Sequence, residues 1–116
     1  MVTTTELLQK KCRHQDTGFA DAEIAQHLSA LDGWALEDGK VVKSYTFKNY
    51  YRTLAFVNAV AYVVHAEDHH PELLVTYNRC TVKFNTHSAN GGRGGITEND
   101  FIAAAKVDAL FKQGPT

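Results

Sequence analysis

Cysteine, proline, methionine and tryptophan are all scarce in this chain: two, two, one and one in 116 residues. Cys12 and Cys80 are too few and too widely spaced for a disulfide framework, so a reduced, cytoplasmic setting is expected. Cys80 falls in a strand-like run and reads as a small buried apolar residue. Neither sign of charge dominates: Lys and Arg number 12, Asp and Glu 13, for a formal net charge of -1. That balance gives no long-range field toward nucleic acid or an anionic membrane. No stretch approaches the ~20 apolar residues that a membrane span needs. The start, Met1–Thr5, lacks the basic-then-apolar order of a secretory signal, so none is expected. What is present, 44% apolar and 22% charged residues, suits a globular protein. The length suits one domain.

The order of the patterns is helix, two strands, helix, two strands, helix. Residues 1–20 are polar and mixed, an N-terminal extension that reads either as a helical arm or as a flexible tail. Residues 21–113 form the domain. Asp21 is the expected N-cap of a helix over Ala22–Leu31, closed by Asp32-Gly33. Trp34–Leu36 and Lys40–Phe47 read as strands joined at Asp38-Gly39, a hairpin signal. A second helix is expected over Tyr51–Glu67 and should stop at about His69, because Pro71 disfavours the helical region at His70. Its apolar arc is wide, with Leu54, Val57, Ala61 and Val64 beside Phe56, Val60 and Val63. Such a helix should pack on a sheet and on a partner subunit. Glu72–Tyr77 and Cys80–His87 read as two further strands around Asn78-Arg79. Ser88–Gly95 is a glycine-rich loop. Thr97 caps a last helix, Glu98–Phe111, with Asp100 three residues on as an acidic form of the capping box. Tight turns join both strand pairs. The expectation is therefore a single α+β domain, a four-stranded antiparallel sheet with three helices on one face.

Histidine is the residue type that this chain concentrates. Four of the six fall between His65 and His87, three of them in the run His65-Ala66-Glu67-Asp68-His69-His70-Pro71. Imidazole titrates near neutrality, with an ordinary pKa of about 6.5. If the helix reaches His69, then His65, Asp68 and His69 share one side of its last turn. The local pattern leaves three readings open. These histidines are caps and surface groups; or His65 and His69, at i and i+4, are two ligands of a metal site; or several imidazoles act as general acids and bases. Against a metal, the cysteines are not in ligand spacing, and Asp68-His69-His70 crowds consecutive donors.

A longer pattern extends the cluster. Asp68-His69-His70-Pro71 is followed by Tyr77-Asn78-Arg79, then Thr86-His87, then Asp100 after a loop. In these residues, and upstream at Gly33-Trp34, the chain resembles the pterin-4a-carbinolamine dehydratases, over about residues 20–112. Four features depart from the family pattern: His65 stands where many members carry glutamate, Leu73 and Leu74 follow His-His-Pro-Glu where some relatives have an aromatic, the loop Ala89–Gly95 is longer than usual, and residues 1–20 have no clear counterpart.

The resemblance implies a hydro-lyase that dehydrates 4a-hydroxytetrahydropterin to quinonoid dihydropterin, in tetrahydrobiopterin recycling. One proton goes to the departing 4a-hydroxyl and one leaves a ring nitrogen, with no metal or redox cofactor. His69, His70 and His87 would surround the pterin, Asp68 would orient an imidazole, and His65 would be an auxiliary acid–base group. Pro71, Asn85, Thr86, Ser88 and Trp34 complete the implied substrate site: Pro71 fixes the turn, and Trp34 suits a core edge or a pocket wall. Asp100 reads as a helix cap before a catalyst. The implied partners are a pterin substrate, a second copy in a homodimer or homotetramer, and a functional link to phenylalanine hydroxylase. A second reading, also implied by the family, is a non-catalytic dimerisation scaffold of the transcriptional-coactivator kind.

Overall fold

In the computed structural model, which describes residues 2–113, four strands make one antiparallel sheet. They are β1 (Ala35–Glu37), β2 (Lys40–Thr46), β3 (Glu72–Val75) and β4 (Arg79–Phe84), in the order β1-β2-β4-β3. Asp38 and Gly39 both take positive φ, 50° and 75°, so the β1-β2 hairpin closes in the twist-compatible turn that this dipeptide favours. The β3-β4 connection sits one residue earlier than the sequence suggested. Thr76 N–H donates to the Arg79 carbonyl at 2.9 Å, which makes Tyr77-Asn78 the loop and draws Arg79 into β4.

Alternation along the strands puts Val41, Tyr45, Cys80, Val82 and Phe84 on the core face, where each is at most 2% exposed. Cross-strand pairs Val41 with Phe84 and Tyr45 with Cys80 hold that face together. Two long helices cover it, α3 (Tyr50–Glu67) and α4 (Glu98–Gln113), each packed on the other. Helix α3 presents Phe56, Val60 and Val63 at helical spacing, and α4 presents Phe101, Ile102, Ala103, Ala104, Ala105 and Val107. Each large aliphatic or aromatic side chain buried there contributes roughly 1.5–3 kcal/mol. Only one of the two stripes expected on α3 is deeply buried. Leu54, Val57 and Val64 are half-buried, and Ala61 is exposed.

The helix ends differ from the expectation in ways that shape the site. Helix α2 (Asp21–Leu28) is capped at Ala20, not Asp21: the Glu23 carboxylate accepts the Ala20 N–H at 3.2 Å, so Asp21 becomes the first helical residue. Helix α3 starts at Asn49, whose side chain accepts the Arg52 N–H at 3.0 Å. It ends at Glu67 because Asp68 turns left-handed, with φ 51° and ψ 42°. Aspartate is one of the few non-glycine residues that tolerates this conformation. Residues 4–9, Thr4–Gln9, form a further helix, α1, and Leu7 from it is 1% exposed against α4.

Candidate active site

Because α3 stops at Glu67, His69 is not on the helix and does not share a turn with His65 and Asp68. The chain reverses at Asp68 and carries the His69 ring inward, to 9% exposure, parallel to Phe84 with ring centroids 5.7 Å apart. There its Nε2 meets Oδ1 of Asp100 at 2.6 Å, and Asp100 is fully buried. A carboxylate oxygen accepts, so Nε2 carries the proton and Nδ1 is the nitrogen left free of that bond.

Asp100 is fixed by the start of α4. Its Oδ2 accepts the Thr97 N–H at 2.9 Å and the Thr86 hydroxyl at 3.0 Å. Thr86 has spent its only hydroxyl proton there, so in its 2.7 Å contact with Thr97 the Thr97 hydroxyl donates. Thr97 in turn accepts from the Asn99 N–H at 3.2 Å. The capping role expected of Asp100 is thus real, and the same carboxylate also holds His69.

His69 faces a cleft of about 350 Å³, which suits a small molecule. His70 and His87 line it as well, both exposed, with Asp68, Thr86 and Ser88. His87 reaches the cleft because β4 ends at Phe84 and the loop then doubles back. Thr86 bridges Gly95, with Thr86 N–H to the Gly95 carbonyl at 2.8 Å and the reverse bond at 3.1 Å. Asp68 stands 3.8 Å from Nε2 of His70, and both side chains are open to water. Such a pair is screened and weak. Among the described residues, no three His, Cys, Asp or Glu side chains converge as a metal site.

The remaining wall comes from the N-terminal arm: Cys12, Arg13, His14 and Gln15 line the cleft with Glu67 and Asn99. Asn99 clamps the arm at one residue, accepting the Arg13 N–H at 3.1 Å and donating to its carbonyl at 2.5 Å. The buried Glu67 accepts the Cys12 N–H at 2.8 Å and Lys106 Nζ at 2.7 Å. Burial pushes the Glu67 pKa up, but Lys106 and the Cys12 N–H outweigh it and leave the carboxyl below its ordinary value. Burial, and then the Glu67 charge, push the Cys12 thiol up to about 12, so it stays protonated at neutral pH.

The structure therefore gathers His69, His70, His87, Asp68, Thr86 and Ser88 in one cleft and leaves four expected site residues outside its lining. His65 is exposed on α3, and Pro71 and Asn85 are half-buried nearby in sequence. Trp34 lies in the core, its indole N–H donating to Asp108 at 3.1 Å. The sequence reading missed Glu67, Asn99 and the arm. One signal for the arm was legible: Thr3-x-x-Glu6 ahead of Leu7-Leu8 is a capping-box pattern, and Thr3 Oγ1 does accept the Glu6 N–H at 3.2 Å.

Fold and cleft together define an α+β protein with imidazoles gathered at a small-molecule-sized cleft and one of them held by a buried carboxylate. Residues 17–110 match the family profile described as pterin 4 alpha carbinolamine dehydratase. A Bdellovibrio bacteriovorus protein whose name places it in that family is 61% identical over 110 residues, covering 95% of this chain and 92% of its own length. One from Nitrosomonas europaea, named likewise, is 45% identical over 116 residues, covering 97% and 99%. Among solved structures, a transcriptional coactivator/pterin dehydratase from Brucella melitensis superposes with a TM-score of 0.73 at 34% identity, over 81% of this chain and 98% of that one. The chain belongs to the pterin-4a-carbinolamine dehydratase family.

Proposed function

We propose that the cleft dehydrates a 4a-hydroxytetrahydropterin to quinonoid dihydropterin and water, by histidine general acid–base catalysis. The observation that carries this reading is the buried His69–Asp100 pair at 2.6 Å, facing the same cleft as His70 and His87. As the C4a–O bond breaks, one imidazolium gives its proton to the departing hydroxyl. The lone pair of the neighbouring ring nitrogen forms the new double bond, and that nitrogen's proton passes to a second imidazole. Asp100 holds one tautomer of His69, so Nδ1 is the atom that exchanges a proton with substrate. His70 and His87 supply the complementary proton transfer, and Asp68, Thr86 and Ser88 offer polar groups to the pterin edge. Each such transfer is worth typically 10²–10⁴-fold. The substrate is the product of aromatic amino acid hydroxylases, so the reaction serves tetrahydrobiopterin recycling beside an enzyme such as phenylalanine hydroxylase.

Four imidazoles line one cleft, those of His14, His69, His70 and His87, and this favours catalysis over a purely scaffolding role. The protein also self-associates in this reading, which the exposed Tyr51, Tyr62 and Leu74 support: they are 81%, 74% and 57% accessible in the single chain. Stopped-flow dehydration of a synthetic carbinolamine tests the chemistry. His70→Ala and His87→Ala should each slow turnover by at least about tenfold while circular dichroism stays unchanged. Parental rates in both variants would sink the assignment.

A further inference from the structure

The cleft has a wall that lies ahead of the family profile, though within the span aligned to the family's Bdellovibrio relative. The profile match begins at residue 17, whereas Cys12, Arg13, His14 and Gln15 line the cleft. This wall is fixed in register. Asn99 holds both the N–H and the carbonyl of Arg13, Glu67 holds the Cys12 N–H, and Lys106 donates to the Lys10 carbonyl at 2.7 Å. Further along, Asn90 N–H donates to the Asp16 carbonyl at 2.7 Å, and the Asn90 side chain accepts the Gly18 N–H at 3.1 Å. The segment is therefore pinned on both sides of Arg13.

Charges along this rim are mostly answered within the protein. Glu67 is paired with Lys106 at 2.7 Å, and His14 Nε2 meets Asp16 at 2.5 Å. Arg13 is the exception. Its backbone is doubly bonded, while its guanidinium makes no ion pair or hydrogen bond among the described residues. A fixed backbone with an uncommitted planar donor at a cleft edge is the arrangement expected of a recognition group for an acceptor.

We infer that the arm is part of the substrate site and that Arg13 is a substrate-binding residue, donating to an oxygen acceptor on the bound heterocycle or its substituent. This rests on the proposed dehydratase function, whose substrate carries a ring carbonyl as one such acceptor. An anionic substituent would be another. Arg13 takes no part in proton transfer, so its effect belongs to binding.

The test compares Arg13→Ala and Arg13→Lys with the parent by stopped-flow dehydration, using carbinolamines with a neutral and with a carboxylate-bearing 6-substituent. The Arg13 guanidinium bonds nothing among the described residues, so thermal melting should be unchanged. Arg13→Ala should raise KM about tenfold with kcat within about twofold, and Arg13→Lys should recover part of the loss. Equal loss with both substrates assigns the contact to the ring carbonyl. Loss confined to the carboxylate substrate assigns it to the substituent. A KM within twofold of the parent's on both substrates, or a fall in kcat with KM unchanged, overturns the inference and leaves the dehydratase reading standing. A parent that neither turns over nor binds a non-reacting dihydropterin overturns both.

Discussion

Asp100 serves two structures with one carboxylate. Oδ2 completes the cap of α4 through Thr97 and takes the Thr86 hydroxyl, while Oδ1 holds His69. Asp100→Asn keeps the size but replaces one acceptor oxygen by a donor. Either His69 or the α4 cap then loses its partner. We expect kcat to fall by about 10²–10⁴-fold and stability to fall by about 1–3 kcal/mol, read by stopped-flow kinetics and urea unfolding. Parental kcat would show that His69 does not act through Asp100. At this scale the histidines were legible because His69-His70-Pro71 and Thr86-His87 are local patterns. The His69–Asp100 bond spans 31 positions, and no periodicity links its ends. The predicted turn sharing His65, Asp68 and His69 failed for a single torsional reason, the left-handed Asp68.

Helix α1 and the arm show what amphipathic patterning misses. The strands and the two long helices were legible because their apolar spacing repeats over many residues. Helix α1 is six residues long and offers one buried side chain, Leu7. Its place is set by distant tethers, among them the Thr4 hydroxyl to the Ala30 carbonyl at 2.7 Å and Lys10 to Glu98 at 2.6 Å. Where the arm crosses the glycine-rich loop, a Cβ on Gly95 would come within 2.7 Å of the Asn90 side-chain nitrogen, so a larger residue there would push the Asn90 amide off its bonds to Gly18 and Gly94. Leu7→Ala removes the buried anchor and should cost about 2–5 kcal/mol in urea unfolding. A loss under about 0.5 kcal/mol, the size of a surface change, would mean that α1 adds nothing to the fold. Loss of stability with unchanged KM at low temperature would separate anchoring of the arm from substrate contact by Arg13.

At the scale of the whole molecule, Glu67 ties together parts that the sequence keeps apart. Its carboxylate joins the end of α3 to the arm through Cys12 and to α4 through Lys106. Those bonds overcome its burial and hold its pKa below the ordinary 4.5. A carboxyl whose folded pKa lies below its unfolded one binds its proton more readily after unfolding. Its stabilisation is therefore complete above about 4.5 and disappears as pH falls through the lower, folded value. Glu67→Gln keeps the shape but removes the charge, and with it the pairing to Lys106. The gap in urea midpoint between parent and variant should be full at neutral pH and narrow steadily as the pH drops below 4.5. A gap that stays constant down to about pH 3 would mean that the charge of Glu67 is immaterial and that its shape alone seats the arm. The Asp108 cluster supplies a contrast within the same fold. Trp34, Lys43 and Tyr45 all donate to Asp108, away from the cleft lining. Asp108→Asn should therefore lower stability without changing KM, whereas Glu67→Gln, which loosens the arm proposed to bind substrate, should move both.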